Sequence, residues 1–284
     1  MNQLKTLKTD LFDRVKDVVL GYAAEGTISL PADYSVGNAV NSAWLKLQEV
    51  TDRNNKPVLE VCSKVSIINA LQEMCYQGLN PAKNQCYFIA YGNKLVLQRS
   101  YFGSMHVAKT VDPTITEITY DVVYAEDEFE YEKKRGKTRI VSHRQKLQNV
   151  KKSNIVAAYC SIWRGDEETT TIMTFEEIKA AWAKSQIKPV LDSGEIKPNS
   201  THAQYTADMS IKTVVNKACK YVINSSSDRT LVNAFENTAE GQVEQEISEN
   251  ANKIYVDIED EPAEKAPEAE AAEAPSSPEG GPDF

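Results

Sequence analysis

The chain has 284 residues, 41% hydrophobic and 26% charged, which is ordinary for a globular protein and enough to bury a substantial core. Its five cysteines (Cys62, Cys75, Cys86, Cys160 and Cys219) are scattered and never form a CxxC pair, which argues against a disulfide framework and for reduced core thiols. The net charge of −9 hides an asymmetry: residues 236–284 hold fifteen Asp/Glu and two Lys, whereas residues 1–235 hold 30 Lys/Arg against 26 Asp/Glu, so a mildly basic body carries an acidic arm, the pattern of a nucleic-acid binder.

The first predicted helix spans residues 3–22, with Leu4, Leu7, Leu11, Val15, Val18 and Tyr22 on one face. That face suits either the core or a neighbouring subunit. A second amphipathic helix starts near Ser35 and carries Trp44, Leu45 and Leu47. After a polar loop at 51–57, a helix from Val58 to Gln77 aligns Val61, Val65, Ile68, Leu71 and Cys75. Gly78 ends it, and Pro81 prevents its resumption. A hairpin follows: strand QCYFIAY, the turn Gly92-Asn93, and strand KLVLQR. An aromatic-rich segment, YFGSMHVAK, comes next.

Residues 115–124 alternate and are β-branched, so they read as a strand, with 129–131 and 139–142 as possible flanking strands. Residues 155–163 and 169–173 read as another hairpin, turning through Arg164-Gly165-Asp166-Glu167. Thr174 and Glu177 have the spacing of a capping box and start a helix. A last strong helix runs from Thr201 to about Ile223. Beyond Phe235, Ala, Glu and Pro dominate, a composition that predicts disorder. The order of elements gives an α+β fold, a central antiparallel sheet of hairpins packed against helices. The expected divisions are residues 1–34, an N-terminal helical and oligomerisation segment; 35–235, the core; and 236–284, the acidic tail.

Three segments could carry chemistry. Residues 133–152 hold nine Lys/Arg and no acid, a source of sequence-independent phosphate affinity; a solvated basic loop is the plain alternative. Gly136-Lys137-Thr138 mimics the end of a phosphate-binding loop, but Tyr131 stands where the motif's first glycine belongs, so an ATPase is rejected. On the last helix, Ala207, Ile211, Val214, Ala218 and Val222 form the expected core face; Tyr205, Met209, Lys212, Thr213, Asn216, Lys217 and Lys220 form a basic, hydrogen-bonding strip. The third segment gathers Lys94, Gln98, Arg99, Tyr101, Phe102, His106 and Lys109, a mixture of cations and aromatics that suits a single-strand platform, though aromatics at this density also build cores. The three histidines, His106, His143 and His202, lack metal-ligand spacing, and neither a nucleophile elbow nor HExxH occurs, so no catalytic centre, cofactor or metal is expected. The apolar runs fall short of a membrane span, and the N-terminus lacks a signal-peptide core, so a cytoplasmic location is expected.

The string Gly78, Leu79, Pro81, Tyr87, Tyr91, Gly92, Asn93, Lys94, Gln98, Tyr101, Gly103 resembles the RecT family of phage single-strand annealing proteins. So does EDEFEYE at 126–132, where Glu126 replaces the family's glycine and puts that turn in question. Met209, Lys212, Thr213, Lys217, Lys220 and Tyr221 fit the family's C-terminal helix. The resemblance implies a RecT/Red beta-like annealing fold from a phage or prophage of a Listeria-type host. It implies ATP-independent annealing of complementary strands in homologous recombination, by a homo-oligomer in ring or helical filament form. Its implied partners are single-stranded DNA, annealed duplex, a phage exonuclease and the host single-strand DNA-binding protein. The DNA groove is expected between the 94–109 segment and the 201–220 helix, with Arg139, His202 and Gln204 also on the DNA. A non-annealing, protective single-strand binder is the alternative reading, and a structural or assembly protein whose basic patch binds acidic partners is a second.

Overall fold

A computed structural model describes residues 8–185 and 188–225. Leu4 and Leu7, and the whole tail from 236 on, lie outside the described residues. The fold is α+β. One core joins the N-terminal helices to the sheet and the C-terminal helix.

A π-helical turn at Lys8–Asp13 leads into α1 (Arg14–Ala24). Leu11, Phe12, Val15 and Val19 face inward, and Phe12 meets Trp44 edge-on at 4.9 Å. Of the face expected for this helix, Leu11 and Val15 are buried, Val18 is half-buried and Tyr22 is exposed, and Leu20 is exposed beside it. Helix α2 (Val36–Leu47) starts at Ser35, whose hydroxyl accepts from Asn38 N–H.

The expected 58–77 helix is two. Helix α3 (Val58–Val61) stops at Cys62, and Ser63 caps a new helix, α4 (Lys64–Tyr76). The break rotates the second helix, so Ile67, Ala70, Leu71, Met74 and Cys75 are buried while Val65 is exposed. Gly78 then adopts φ +66°, with Gly78 N–H donating to Cys75 O and Leu79 N–H to Met74 O at 2.9 Å each. These two bonds satisfy the last carbonyls as a Schellman motif does.

Strands β1 (Cys86–Tyr91) and β2 (Lys94–Arg99) form their own antiparallel hairpin. The far edge of β2 abuts α4, where Ser66 Oγ accepts from Leu95 N–H at 3.0 Å. Helix α5 (Tyr101–Val111) follows, capped by Ser100. Strands β3 (Glu117–Tyr124), β6 (Ile155–Arg164) and β7 (Glu167–Thr174) make a three-stranded antiparallel sheet in the order β3-β6-β7. The flanking strands β4 (Glu128–Lys134) and β5 (Lys137–Arg144) instead form a separate two-stranded arm. Arg135 and Gly136 both have positive φ at its tip, as a tight hairpin turn of this hand requires. The phosphate-loop mimic thus lies at a hairpin tip rather than between a strand and a helix.

Thr174 and Glu177 form the expected capping box at the start of α6 (Phe175–Ala183). The final helix is again two, α7 (Thr201–Gln204) and α8 (Thr206–Asn224), bent at Tyr205. Helix α8 lies between α5 and the sheet. Its buried positions are Thr206, Ser210, Val214, Val215, Ala218, Cys219, Val222 and Ile223. The expected face is therefore displaced: Ala207 and Ile211 are only half-buried, because both sides of the helix are covered.

Candidate nucleic-acid interface

The two expected walls of the groove are neighbours: α5 packs along α8. At the start of α5, Tyr101 and the exposed Phe102 lie with ring centroids 4.1 Å apart, and Tyr101 meets Tyr120 of β3 edge-on at 5.9 Å. Burial first, then the proximity of Tyr120, Asp208 and Tyr87, pushes the Tyr101 hydroxyl up to about 12. Tyr87, Tyr101, Phe102 and Tyr120 thus form an aromatic step at the α5–α8 boundary. Tyr87 and Phe102 are its exposed members.

Close to α8, the basic segment returns: Lys152 donates from Nζ to the carbonyl of Gln204, at the α7–α8 bend. Within α8, Thr213, Asn216, Lys217 and Lys220 follow one helical side, each half-buried. Half-burial suits lysines whose stems pack while the ammonium groups reach outward. Lys212, one turn before Asn216, is half-buried too, and after burial its charge helps disfavour protonation of His202.

Several expected contacts point elsewhere. Arg99 is only 4% exposed: its Nη1 donates to Gln77 Oε1 at 3.0 Å and its Nε to Ser104 Oγ at 3.2 Å, so it is an internal tie between α4, β2 and α5 rather than a lining residue. His202 is 7% exposed, with its ring 4.7 Å from that of Trp182. Trp182 Nε1–H in turn donates to Thr213 Oγ1 at 2.8 Å, and that hydroxyl donates to Met209 O. His202, Met209 and Thr213 therefore shape α7 and α8 from within. His106 opens onto a polar cleft with Asp33, Tyr34, Asn80 and Gln85, together with Gly78. Lys109 Nζ reaches Thr116 O at 3.4 Å. Gln98 is half-buried on β2. Arg139 is exposed on the arm and pairs across it with Glu132. Sequence reasoning reaches Lys152 only as part of the basic 133–152 segment and Tyr87 only as part of the family string, and it does not single out Tyr120. An aromatic in an alternating strand reads as core, and no local pattern brings Lys152 to Gln204.

Lys94 lies over a cavity of about 450 Å³ between α4 and β2, together with Ser63, Asn69 and Glu73. Burial raises the Glu73 carboxyl to about 7, although Lys94 pulls it down. An acid raised in the folded state stabilises fully below its unfolded value of 4.5 and loses that contribution as pH rises through 7. Burial lowers both His106 and His202 below 6.5, so their contribution is present above 6.5 and fades as pH falls. Glu73→Gln is expected to raise the urea midpoint at pH 8 by about 1 kcal/mol equivalent, after allowing for solvent screening, and to match the unmodified chain at pH 4.5. In that variant, stability should decline from pH 7 to pH 5 as the histidines protonate in the unfolded chain. A midpoint difference independent of pH would refute the burial of Glu73.

Among the described residues no helix is long and apolar enough to cross a membrane, and no three His, Cys, Asp or Glu are grouped to hold a metal. The sequence model of the RecT family matches residues 37–253. No curated protein matches the chain, and no solved structure does.

Proposed function

We propose, since the chain belongs to the RecT family of single-strand annealing proteins that act in homologous recombination, that it pairs complementary DNA strands without nucleotide hydrolysis while assembled as a homo-oligomer on DNA. The family match across the body of the chain carries this reading, and the exposed aromatic step beside a cation-bearing helix supports it.

An annealing protein must neutralise two phosphate backbones yet leave the pairing edges of the bases free. Contacts to phosphate and sugar, with stacking on ring faces, meet both needs. Pairing itself supplies the sequence reading and the favourable free energy. In this reading Tyr101 and Phe102 support bases at the α5–α8 boundary, and Lys217, Lys220, Lys151 and Lys152 carry the backbone. Residues 35–235 do this work, ring or filament contacts involve the 1–34 segment, and 236–284 engages partners or screens the cations. A phage exonuclease supplies the single strands, the host single-strand DNA-binding protein is displaced, and the setting is the cytoplasm of a Listeria-type host.

The test adds two complementary oligonucleotides in turn, without nucleotide, and follows duplex formation and complex size. Fast pairing within a large complex is expected, and Lys217→Glu with Lys220→Glu should weaken strand binding at least 10-fold. Tight binding of one strand with no acceleration of pairing would make the protein a protective binder instead.

A further inference from the structure

The carboxylate of Asp127 sits at the root of the β4–β5 arm, and its side chain has no exposed surface. Four donors converge on it. Tyr124 N–H donates at 2.9 Å, Gln145 Nε2 and Asn149 Nδ2 at 3.0 Å each, and His143 Nε2 at 3.2 Å. Because a carboxylate only accepts, His143 carries its proton on Nε2, and in the neutral ring the Tyr159 hydroxyl, 3.1 Å away, donates to Nδ1. Burial alone would raise the Asp127 carboxyl, but the four donors more than offset it and hold it below the usual carboxylate range.

These donors come from separate pieces of chain: the end of β3, the end of β5, and the loop that follows it. Two are doubly used, for Asn149 also donates to Glu126 O at 2.8 Å and Gln145 to Val122 O at 3.1 Å. Beside them, Phe129 stacks on Tyr159 of β6 with centroids 5.6 Å apart. The turn into the arm closes through Asp127 N–H to Tyr124 O at 3.0 Å, and Glu126 keeps a negative φ there, so the family's glycine is not needed. Every Lys and Arg of the 133–152 cluster lies on the arm or on the loop that Asp127 clamps.

We propose that Asp127 is a positioning residue for strand binding: it touches no DNA and fixes the basic arm and the 144–152 loop against the sheet, so that their cations meet phosphates in one arrangement. This rests on the DNA-binding reading above. Fixed cations bind with less ordering cost than cations on a loose arm. The sign of the effect separates this role from plain electrostatics. Removing a carboxylate makes the body more positive, and Coulomb attraction alone then strengthens binding to a polyanion.

The experiment uses the full chain and the Asp127→Ala and Asp127→Asn variants, which carry equal charge. Binding of a fluorescent oligothymidylate is measured across a salt series, with amide hydrogen exchange of the free proteins in parallel. Asp127→Ala should bind at least 10-fold more weakly, with a log K against log salt slope shallower by about 2. Asp127→Asn keeps an acceptor for Tyr124 N–H and should fall between. Exchange over residues 128–152 should quicken while α8 stays protected. If Asp127→Ala is too unstable to assay, Asn149→Ala removes one donor and should show the same exchange pattern and a smaller loss of affinity. Tighter binding with an unchanged slope, or unchanged exchange over 128–152, would overturn the proposal. Failure of the unmodified chain to bind the oligonucleotide would instead sink the annealing reading, with the exchange data still judging the clamp.

Discussion

Gly103→Ala is expected to destabilise the protein by about 3 kcal/mol, seen as a drop in the urea midpoint. A Cβ built at Gly103 would lie 2.1 Å from the Gln85 carbonyl oxygen and 2.7 Å from Arg99 Cγ. Neither neighbour can yield cheaply. The Gln85 carbonyl accepts from Ser100 N–H at 3.0 Å, and Arg99 is held by Gln77 and Ser104. The methyl group would push α5 away from the start of β1 and shift the adjoining Tyr101–Phe102 pair. A built-in control exists on α2. A methyl group at Gly37 would meet nothing within 4 Å, so Gly37→Ala should stabilise by roughly 0.5–1 kcal/mol. Equal effects at both sites would show that helix propensity, not the close approach of α5 to Gln85, decides the outcome.

Trp182→Ala should cost about 3–5 kcal/mol, the usual range for emptying a buried indole site. The ring is 4% exposed, meets Phe175 at 6.0 Å and His202 at 4.7 Å, and bonds Thr213. It therefore joins α6 to both α7 and α8. Trp182→Phe keeps most of the volume and loses the indole N–H, while Thr213 retains its bond to Met209 O, so about 1 kcal/mol is expected. Denaturation midpoints measure both. If the alanine variant lost no more than the phenylalanine one, the ring would not be the link between these helices.

Two hairpins were legible because turn chemistry is local: Gly92-Asn93 and the Gly165 turn each require positive φ, and each glycine delivers it, whereas the turn at Arg135-Gly136 was not recognised as one. The capping box at Thr174 was legible for the same reason. Helix breaks were harder. Apolar spacing runs straight through Cys62 and Ser63, and only the serine cap betrays the interruption. Tyr205 gives still less warning, since it caps nothing with its side chain. Charge misled at Arg99: a cation beside a glutamine reads as surface, yet its partners Gln77 and Ser104 stand on other elements and draw it inside. The Asp127 clamp was invisible, because Tyr124, His143, Asn149 and Tyr159 are brought together only by the tertiary fold.

The arm also changes what the sheet offers to other chains. Strand β7 is an edge of the three-stranded sheet, and β5 runs beside it without joining its ladder. Lys137 pairs with Glu167, and Ile140 N–H donates to Glu168 Oε1 at 3.4 Å, so side chains occupy the approach to that edge. An unguarded edge invites strand addition from any passing chain. Held in place, the arm is a chaperone in miniature for its own sheet, and protein crowded together at high local concentration keeps its strands to itself.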